Sequence, residues 1–368
     1  MSDWYRITNI ETLDSPALVV YPDRVAENIH ILKSLVPDVN RLRPHMKTSK
    51  SSEVARMLMA EGINKFKCAT IAEAEMLARV NAADVLLAYQ PVGPKANRLA
   101  SLVREFPQTR FSCLIDNEKT ARHIADVFSH AGLSIAVYLD LNVGMNRTGV
   151  RPDDALALYL ACQKMGGIDV IGLHAYDGHL RDPDFAMRTE KCNAAFNAVE
   201  KLADAILHAT GSKPQIIAGG TPTFPIHAKR ADVDCSPGTF IYWDLGYQSI
   251  LVEQPFIFAA LVITRVISLP DDETVCLDLG HKAIASENPL TNRVSFLNAP
   301  DLTPMGHSEE HLVMRAAKGH HYSVGDVLYG VPYHICPTVA LHNNPHVVHD
   351  GAVTETWTTA ARNRKISL

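Results

Sequence analysis

The sequence predicts an α/β protein: a (β/α)8 barrel of the TIM type followed by a mostly antiparallel β domain. Two observations lead to this prediction. Up to about residue 245, short β-rich runs alternate with longer segments of helical period, and after Tyr247 the β-rich runs follow one another without long helices. Regular alternation of strand and helix implies parallel strands joined by right-handed crossovers. A doubly wound open sheet is the alternative arrangement of the same elements.

Eight strand candidates occur before residue 245, and a helix candidate follows each of the first seven. The strand candidates are residues 17–21, 41–46, 65–70, 85–90, 110–116, 135–143, 170–176 and 215–218. The helix candidates, which show apolar stripes at helical spacing, are residues 23–35, 52–61, 72–80, 95–105, 118–131, 153–165 and 185–209. Eight strands in this length favour a closed barrel, which we place at residues 15–245.

The region after residue 245 is predicted as a second domain, residues 246–368. Its β-rich runs are residues 256–268, 274–279, 294–298, 311–316, 326–331 and 346–349. Turn-forming Pro270-Asp271-Asp272 and Gly325-Asp326 separate some of these runs, which is typical of an antiparallel sheet. Residues 286–310 are rich in Asn, Pro, Ser and Glu, so we expect an irregular segment there.

The composition excludes several classes of protein. The chain of 368 residues has a net charge of −5 and no long basic run, which argues against a nucleic-acid surface. It has neither an apolar signal core at its N-terminus nor an apolar stretch long enough to cross a bilayer, so no membrane partner is expected. Its seven cysteines are scattered, odd in number and without a CxxC pair, which indicates reduced thiols in a cytoplasmic protein.

Residues 43–50, Arg-Pro-His-Met-Lys-Thr-Ser-Lys, form the first candidate site. Pro44 restricts Arg43 to an extended conformation, which predicts the end of a strand just before Lys47. Barrels place their chemistry at the C-terminal ends of their strands, so His45 and Lys47 are candidate site residues. Desolvation at such a position lowers the pKa of a lysine and leaves a nucleophilic amine. A solvated basic loop is the alternative interpretation.

Two further strand ends carry groups suited to an anionic or planar ligand. In residues 141–150, Arg147 offers a fork of donors for an anionic oxygen between glycines that permit tight turns. On the strand that ends near residue 176, His174 and Tyr176 project to one face and could hold a planar ligand or relay protons, with His179 just beyond. A solvated arginine, and a core histidine and tyrosine bonded to backbone groups, are the alternatives.

The last strand candidate is followed by Gly219-Gly220-Thr221, and Ser236-Pro-Gly-Thr239 comes shortly afterwards. Glycines at this position leave backbone N–H groups exposed, and Thr221 adds a hydroxyl, a combination that cradles a phosphate. Barrels often carry a phosphate site after strands 7 and 8. We therefore predict phosphate binding at Gly220 and Thr221, with a simple turn as the alternative.

In the β domain, residues 333–338, Tyr-His-Ile-Cys-Pro-Thr, contain a candidate metal pair. In a strand, His334 and Cys336 lie two residues apart on the same face, a workable spacing for two ligands of one Zn²⁺. Two protein ligands leave coordination positions for water or substrate, which suits catalysis. Packing within the strand is the alternative role for both side chains.

In combination, these motifs resemble the fold-type III pyridoxal-phosphate enzymes, which share an alanine racemase-like barrel. Within that group the chain is similar to the D-threonine aldolase and D-serine dehydratase branch. The motifs occur in the family's order along essentially the whole chain: Asp14-Ser-Pro-Ala17, Arg43-Pro-His-Met-Lys-Thr48, Gly144 to Gly149, Gly172 to His179, Ser236-Pro-Gly238 and His334-Ile-Cys336. The resemblance implies a lyase that uses pyridoxal 5'-phosphate (PLP) and a divalent metal on 3-hydroxy-D-amino acids.

The resemblance also implies roles for individual residues. Lys47 matches the lysine that binds the cofactor covalently, and Arg147 matches the arginine near the cofactor's phenolic oxygen. The other matches are His174 and Tyr176 at the cofactor ring, Thr221, Gly238 and Thr239 at its phosphate, and His334 and Cys336 at the metal. The soft thiolate favours Zn²⁺ over Mn²⁺ or Mg²⁺. The N-terminal residues 1–14 would join the β domain, and the enzyme would be a homodimer.

The resemblance leaves two lyase reactions open. If a base such as His179 removes the hydroxyl proton, the Cα–Cβ bond breaks and D-threonine gives glycine and acetaldehyde. If Lys47 removes the Cα proton instead, hydroxide leaves and D-serine gives a 2-oxo acid and ammonia. Cys336 favours a dehydratase, because aldolases of this branch tend to have Asp there, whereas residues 172–179 are more similar to the aldolases. Ser49 stands where the family often has a histidine.

We expect an enzyme of the D-threonine aldolase type, with the D-serine or 3-hydroxy-D-amino-acid dehydratase as the alternative. An amino-acid racemase is a third hypothesis, and it has no need of the pair His334 and Cys336. A PLP carrier without turnover is disfavoured, because known carriers resemble only the barrel.

Overall fold

The structure is a computed structural model that describes residues 3–368. It divides into two compact units. The first contains the residues up to Ile31, Thr48–Glu53 and Thr239–Arg362, and the second contains Leu32–Lys47, Val54–Gly238 and Asn363–Leu368.

The second unit is built on a parallel sheet whose strands follow one another in chain order. They are Lys65–Cys68, Asp84–Leu87, Arg110–Ile115, Ile135–Leu141, Ile168–Ala175, Gln215–Ala218 and Val233–Cys235. The segment 42–45 joins the last strand to the first, because Leu42 forms a parallel bridge with Cys235 and His45 forms one with Lys67. The closed (β/α)8 barrel is therefore confirmed, and the doubly wound open sheet is excluded.

The helices that the apolar stripes predict are all present, with bounds within a few residues of those expected. In chain order the helices are Pro22–Ser34, Ser52–Ala60, Ile71–Arg79, Pro94–Glu105, Glu118–His130, Pro152–Cys162, Phe185–Thr210, Phe224–His227, Leu245–Ile250 and Ile335–Leu341. The last three, all short, were not predicted. None of the helices in residues 3–368 is long and apolar enough to span a membrane.

One strand of the predicted barrel belongs to the other sheet. Residues 17–21 were expected to open the barrel, but Ala17–Val20 pairs with residues 260–263 and with His346 and Val347 in the first unit. The barrel instead takes Val233–Cys235, which the sequence analysis missed. An apolar run such as Ala-Leu-Val-Val, buried at all four positions, fits the middle of either sheet, so its pattern does not select one.

The first unit is a nine-stranded, mostly antiparallel sheet, as predicted for the β domain. Its strands are Ala17–Val20, Ala260–Asp271, Thr274–Leu277, Val294–Phe296, Thr303–His307, Leu312–Arg315, Val327–Pro332, His346–His349 and Ala352–Thr356. The long strand Ala260–Asp271 pairs with three of the others, and the parallel exception is the pairing of Val19 with His346. The segment 286–310, where an irregular excursion was expected around the β-rich run 294–298, contains the strands Val294–Phe296 and Thr303–His307.

The N-terminal residues pack within this first unit. Tyr5, Ile7 and Leu13 are buried in one apolar cluster with Leu261 and Val331. The sequence analysis assigned residues 1–14 to the β domain, and of these residues 1 and 2 lie outside the described residues. The domain boundaries at 15–245 and 246–368 stay a prediction.

Candidate active site

Most of the predicted site residues lie at the carboxyl ends of the barrel strands. His45 forms the parallel bridge with Lys67, and the half-buried Lys47 lies in the turn that follows. The amide of Lys47 donates a hydrogen bond to Nδ1 of His45 at 3.2 Å. The imidazole of His45 therefore holds the turn that presents Lys47.

Tyr176 is the aromatic centre of this end of the barrel. The guanidinium carbon of Arg147 lies 5.0 Å from the centre of the Tyr176 ring, and Nζ of Lys67 lies 5.4 Å from it. Both distances are within the range of cation–π attraction. A Cβ atom at Gly220 would come within 2.9 Å of the same ring, so a larger residue would push the Gly-Gly-Thr loop away from Tyr176.

A buried carboxylate holds His174. Nδ1 of His174 lies 2.7 Å from Asp140, and the Thr148 hydroxyl donates to the other carboxylate oxygen at 2.7 Å. Burial and then the charge of Lys67 lower the pKa of His174, and they outweigh the bond to Asp140. The imidazole is therefore neutral at pH 7, with Nδ1–H donating to Asp140 and a lone pair on Nε2. This Nε2 is buried and has no hydrogen-bond partner among residues 3–368.

The loop that carries Arg147 is fixed at both ends. Near its start, the Asn142 side chain accepts hydrogen bonds from the amides of Gly144 and Asn146 at 3.1 Å each. At its end, the Gly149 amide donates to Asp116 at 3.0 Å. Gly149 has a φ of +102° and a Cβ there would lie 2.5 Å from the Asn142 nitrogen, so this tight return needs glycine.

The glycine loop after the strand Gln215–Ala218 is bonded to its neighbours. The Gly219 amide donates to the carbonyl of Ala175 at 2.9 Å, and the Gly238 amide donates to the Thr221 hydroxyl at 3.2 Å. Gly220, Thr221 and Gly238 are thus brought together, as a phosphate cradle requires. Thr239 belongs to the first unit, where its hydroxyl lies 3.7 Å from the sulfur of Cys336.

Asp177 ties the strand end of Tyr176 to this glycine loop. Its carboxylate accepts a hydrogen bond from the Thr223 hydroxyl at 2.6 Å and lies 2.8 Å from Nε2 of His227. The sulfur of Cys192 lies 3.4 Å from the same nitrogen.

Asp177, Cys192 and His227 are a set of metal-ligand types in close contact, and all three are buried. Burial raises the pKa of the Cys192 thiol well above its ordinary value, so this sulfur is protonated. The Asp177 carboxylate accepts the Thr223 hydroxyl and contacts His227, so the three side chains are held together by hydrogen bonds. The group is therefore a hydrogen-bonded support for the two loops.

His179, the predicted general base, lies on the exposed side of the same region. Its ring packs over the backbone of Gly144, where a Cβ atom would come within 2.8 Å of His179 Nε2. His179 is therefore adjacent to the loop of Arg147.

The predicted metal pair lies at the start of a helix, and the expectation of a strand was wrong. His334 is the N-cap of the helix Ile335–Leu341, and Cys336 lies in its first turn. Pro337 explains the helix start, because proline is tolerated in a first turn, where amides lack partners within the helix. Asp244 accepts a hydrogen bond from the Ile335 amide at 3.1 Å and so fixes this end of the helix.

The side chains of His334 and Cys336 nevertheless meet. Burial lowers the pKa of His334, but the hydrogen bond and charge of Cys336, followed by a bond to Glu287, outweigh it and raise that pKa to about 9. The sulfur of Cys336 also lies 3.1 Å from the Thr48 hydroxyl. An imidazole and a thiol in contact form a ligand set suited to a soft divalent ion such as Zn²⁺.

Two family models match this chain. The model of the alanine racemase N-terminal domain matches residues 20–245, and that of a serine dehydratase domain matches residues 259–348. The first match covers more than half of the chain. The chain belongs to the alanine racemase N-terminal domain family.

Relatives of this family member are similar over nearly its whole length. It is 29% identical to the D-threonine aldolase of an Arthrobacter species, over 95% of this chain and 93% of the aldolase. It is 25% identical to the D-threo-3-hydroxyaspartate dehydratase of Delftia sp. strain HT23, over 94% of this chain and 97% of the dehydratase. The crystal structure of D-threonine aldolase from Filomicrobium marinum, 26% identical, matches with a TM-score of 0.86 over 95% of this chain and 96% of that chain.

This member of the alanine racemase N-terminal domain family is therefore an enzyme of the fold-type III PLP group, in the branch of aldolases and dehydratases. The residues at the barrel mouth fit PLP. Lys47 offers an amine, Arg147 and Lys67 offer positive charge, and Nε2 of His174 is a buried acceptor without a partner in the described residues 3–368. The loop of Gly220 and Thr221 offers backbone donors for a phosphate.

Sequence reasoning missed three buried charged residues of this region, Lys67, Asp140 and Asp177. Each stands within a strand or at its end, where the pattern of neighbouring apolar residues resembles that of an ordinary half-exposed strand. Lys67 could have been found from the alternation of Lys65, Phe66 and Lys67 on a barrel strand. That alternation places both lysines on the face opposite Phe66.

Proposed function

We propose that this enzyme is a PLP- and divalent-metal-dependent lyase of the D-threonine aldolase type, which cleaves D-threonine to glycine and acetaldehyde. The observation that carries the proposal is the position of Lys47. It follows the segment that closes the barrel, and Arg147, His174 and Tyr176 lie at the carboxyl ends of two other barrel strands, Ile135–Leu141 and Ile168–Ala175. The similarity to D-threonine aldolases over nearly the full length supports the same reaction.

The cofactor-binding roles are assigned from these positions and from the family resemblance. Lys47 would hold PLP covalently, with His45 supporting its turn. Arg147, His174 and Tyr176 would surround the ring. The phosphate would be held by Gly220, Thr221, Gly238 and Thr239. PLP, when bound, supplies an electron sink for breaking a bond at the substrate's Cα.

The remaining chemistry belongs to side chains of this chain. Arg147 neutralises negative charge beside Tyr176, and the neutral His174 offers an acceptor at Nε2. His179 is the proposed general base that takes the proton of the substrate's 3-hydroxyl, which directs cleavage to the Cα–Cβ bond. If Lys47 takes the Cα proton instead, the same site becomes that of a dehydratase.

The metal would be held by His334 and Cys336, and we propose Zn²⁺ because a thiolate and an imidazole are ligands that Zn²⁺ favours. A metal at these residues would polarise an oxygen and lower the pKa of a hydroxyl. We further propose that the enzyme is a cytoplasmic homodimer acting on a small D-amino acid.

The second candidate function is a 3-hydroxy-D-amino-acid dehydratase, acting on substrates such as D-serine. Cys336 favours it, since a cysteine at this position is typical of the dehydratases in this branch. The similarity to the Delftia dehydratase and the match of the C-terminal half to a serine dehydratase domain support this candidate as well.

The test is a product assay on purified enzyme with D-threonine and with D-serine. Glycine and acetaldehyde in equal amounts support the aldolase, whereas 2-oxobutanoate or pyruvate with ammonia supports the dehydratase. Lys47→Ala is the matched control, because it should abolish both turnover and the visible absorbance of lysine-bound PLP. Conversion of D-threonine only to L-allo-threonine, the product of inversion at Cα, would show a racemase and refute both candidates.

A further inference from the structure

Two lysines on one barrel strand have contrasting surroundings. Lys65 and Lys67 belong to the strand Lys65–Cys68 and point to the same face, because side chains alternate along a strand. Nζ of Lys65 lies 3.1 Å from the carboxylate of Asp234, and its side chain is one-third exposed. Lys67 is only 3% exposed, and within residues 3–368 its amine makes neither a hydrogen bond nor an ion pair.

The charged groups around Lys67 come from four neighbouring segments. Lys47 and Arg147 add positive charge and, together with burial as the largest cause, lower the pKa of Lys67 to about 7. Asp140 and Asp177 oppose this shift, but both carboxylates are already hydrogen-bonded. Asp140 is bonded to His174 and a threonine, and Asp177 to a second threonine and to His227.

Lys67 is also close to the proposed site of chemistry. Its backbone is paired with the segment that ends in Lys47, since the Lys67 amide donates to the Pro44 carbonyl and the Met46 amide donates to the Lys67 carbonyl, both at 2.9 Å. Nζ of Lys67 lies 5.4 Å from the centre of the Tyr176 ring, on which Arg147 also converges.

A buried amine without an acceptor is unfavourable when it carries a proton, and two further cations increase that cost. An anionic group placed among Lys47, Lys67 and Arg147 would remove both penalties. The charge distribution at this end of the barrel is therefore complementary to a negatively charged ligand.

We infer that Lys67 is a second amine of the active site, which binds an anionic oxygen of the bound small molecule without forming a covalent bond. The inference rests on the proposed function and deepens it. The oxygen is either the phenolate of PLP or the carboxylate of the amino-acid substrate, and these two sources have distinct experimental consequences.

The test compares Lys67→Met with Lys65→Met and the wild type. Lys65 stands on the same strand and face but is paired with Asp234, so its variant controls for loss of a barrel lysine. Affinity of the apoenzyme for PLP is measured by fluorescence quenching, and KM for D-threonine is measured on enzyme saturated with PLP. Thermal unfolding of each variant shows whether it is folded, and Lys67→Gln replaces the methionine variant if that protein does not fold.

If the phenolate is the partner, Lys67→Met binds PLP at least tenfold more weakly, while Lys65→Met binds it as the wild type does. Wild-type affinity then falls as the pH rises above about 7, because the amine loses its proton, and the variant lacks this dependence. If the substrate carboxylate is the partner, PLP affinity is unchanged and KM rises at least tenfold with little change in kcat.

Three results would overturn the inference. Unchanged PLP affinity together with unchanged KM in Lys67→Met would show that Lys67 binds neither PLP nor the substrate. Loss of lysine-bound PLP absorbance in Lys67→Met, with retention in Lys47→Ala, would make Lys67 the covalent lysine. If the wild type binds no PLP at all, both the proposed function and this inference are refuted. The first two results refute only the inference.

Discussion

Asp140 is a buried carboxylate that bonds polar side chains at the carboxyl end of the barrel strands. It receives hydrogen bonds from His174 and Thr148, and its charge also acts on Lys67. Burial raises the pKa of Asp140, but the hydrogen bonds from His174 and Thr148 and the charge of Lys67 outweigh it. The pKa of Asp140 is therefore lower than its ordinary value of 3.8.

We predict that Asp140→Asn lowers the free energy of unfolding by about 1–3 kcal/mol at pH 7, the cost of a lost charged hydrogen bond. A carboxylate whose pKa is lowered in the native state stabilises above its unfolded pKa, and this stabilisation is lost as the pH falls through the native pKa. The difference between wild type and variant should therefore shrink below about pH 4. Urea unfolding at pH 7 and near pH 3 measures it, with Thr148→Val as a control for loss of a neutral bond. An equal difference at both pH values would contradict the assignment.

Single residues also mark the limit of sequence reasoning. Lys47 is predictable, because Pro44 indicates that a strand ends just before it. Lys67 is predictable only in part: alternation places it on the strand face opposite Phe66, but its burial depends on closure of the barrel. Asp140 and Asp177 are hidden for the same reason. Their partners come from distant strands, which no local pattern brings together.

At the scale of elements, the helix Ile335–Leu341 positions the candidate metal ligands. Asp244 bonds the Ile335 amide with one carboxylate oxygen and the Tyr247 amide with the other, so it fixes this helix and the helix Leu245–Ile250 together. A His-x-Cys spacing predicts a strand, because residues two apart lie on the same face of a strand. The structure shows that the start of a helix brings the same two side chains into contact.

We predict that Cys336→Ala loses its divalent metal. Removal of one of two ligands should weaken metal affinity by more than the roughly 10–100-fold that loss of a supporting residue costs. Metal content after dialysis, measured by elemental analysis, should fall from about one ion per chain to nearly none. Cys276→Ala is the control, because Cys276 is the other cysteine of the same unit that is only partly buried. Full retention of metal in Cys336→Ala would place the ion elsewhere.

At the scale of the whole barrel, one buried arginine connects the closing segment to two strands. Arg43 is 1% exposed and pairs with Asp84 at 2.5 Å and with Asp234 at 3.3 Å. Asp84 opens one strand and Asp234 lies on the last, so the ion pairs cross the seam where the barrel closes. Removing Arg43 leaves the mostly buried Asp84 without this cation, whereas Asp234 keeps its ion pair with Lys65.

We predict that Arg43→Met lowers the free energy of unfolding by about 3–5 kcal/mol, the typical cost of breaking a buried ion pair from one side. Arg122→Met is the matched control. Arg122 pairs with Glu118 on an exposed helix surface, and its loss should cost less than about 1 kcal/mol. Chemical denaturation of both variants at pH 7 measures the difference. Similar losses in the two proteins would show that the seam does not depend on Arg43.

The barrel and its helices could be predicted because their apolar periods are long and regular. The membership of Ala17–Val20 could not, since its four buried residues suit either sheet and its partners are decided by the far end of the chain. The position of Lys47 follows from local chemistry, whereas its charged neighbours follow from closure of the barrel. Sequence analysis thus finds residues that a local motif marks and misses those that only the fold assembles.

The placement of Ala17–Val20 also bears on the order in which the two sheets can form during synthesis. This strand is synthesised before both of its partners, because the antiparallel partner begins at Ala260 and the parallel partner at His346. The last barrel strand ends at Cys235, so the barrel strands can pair before the partners of Ala17–Val20 have been synthesised. Closing so long a loop carries an entropic cost and slows folding. We therefore expect the sheet of the first unit to form after the barrel sheet, with the apolar strand Ala17–Val20 unpaired until then.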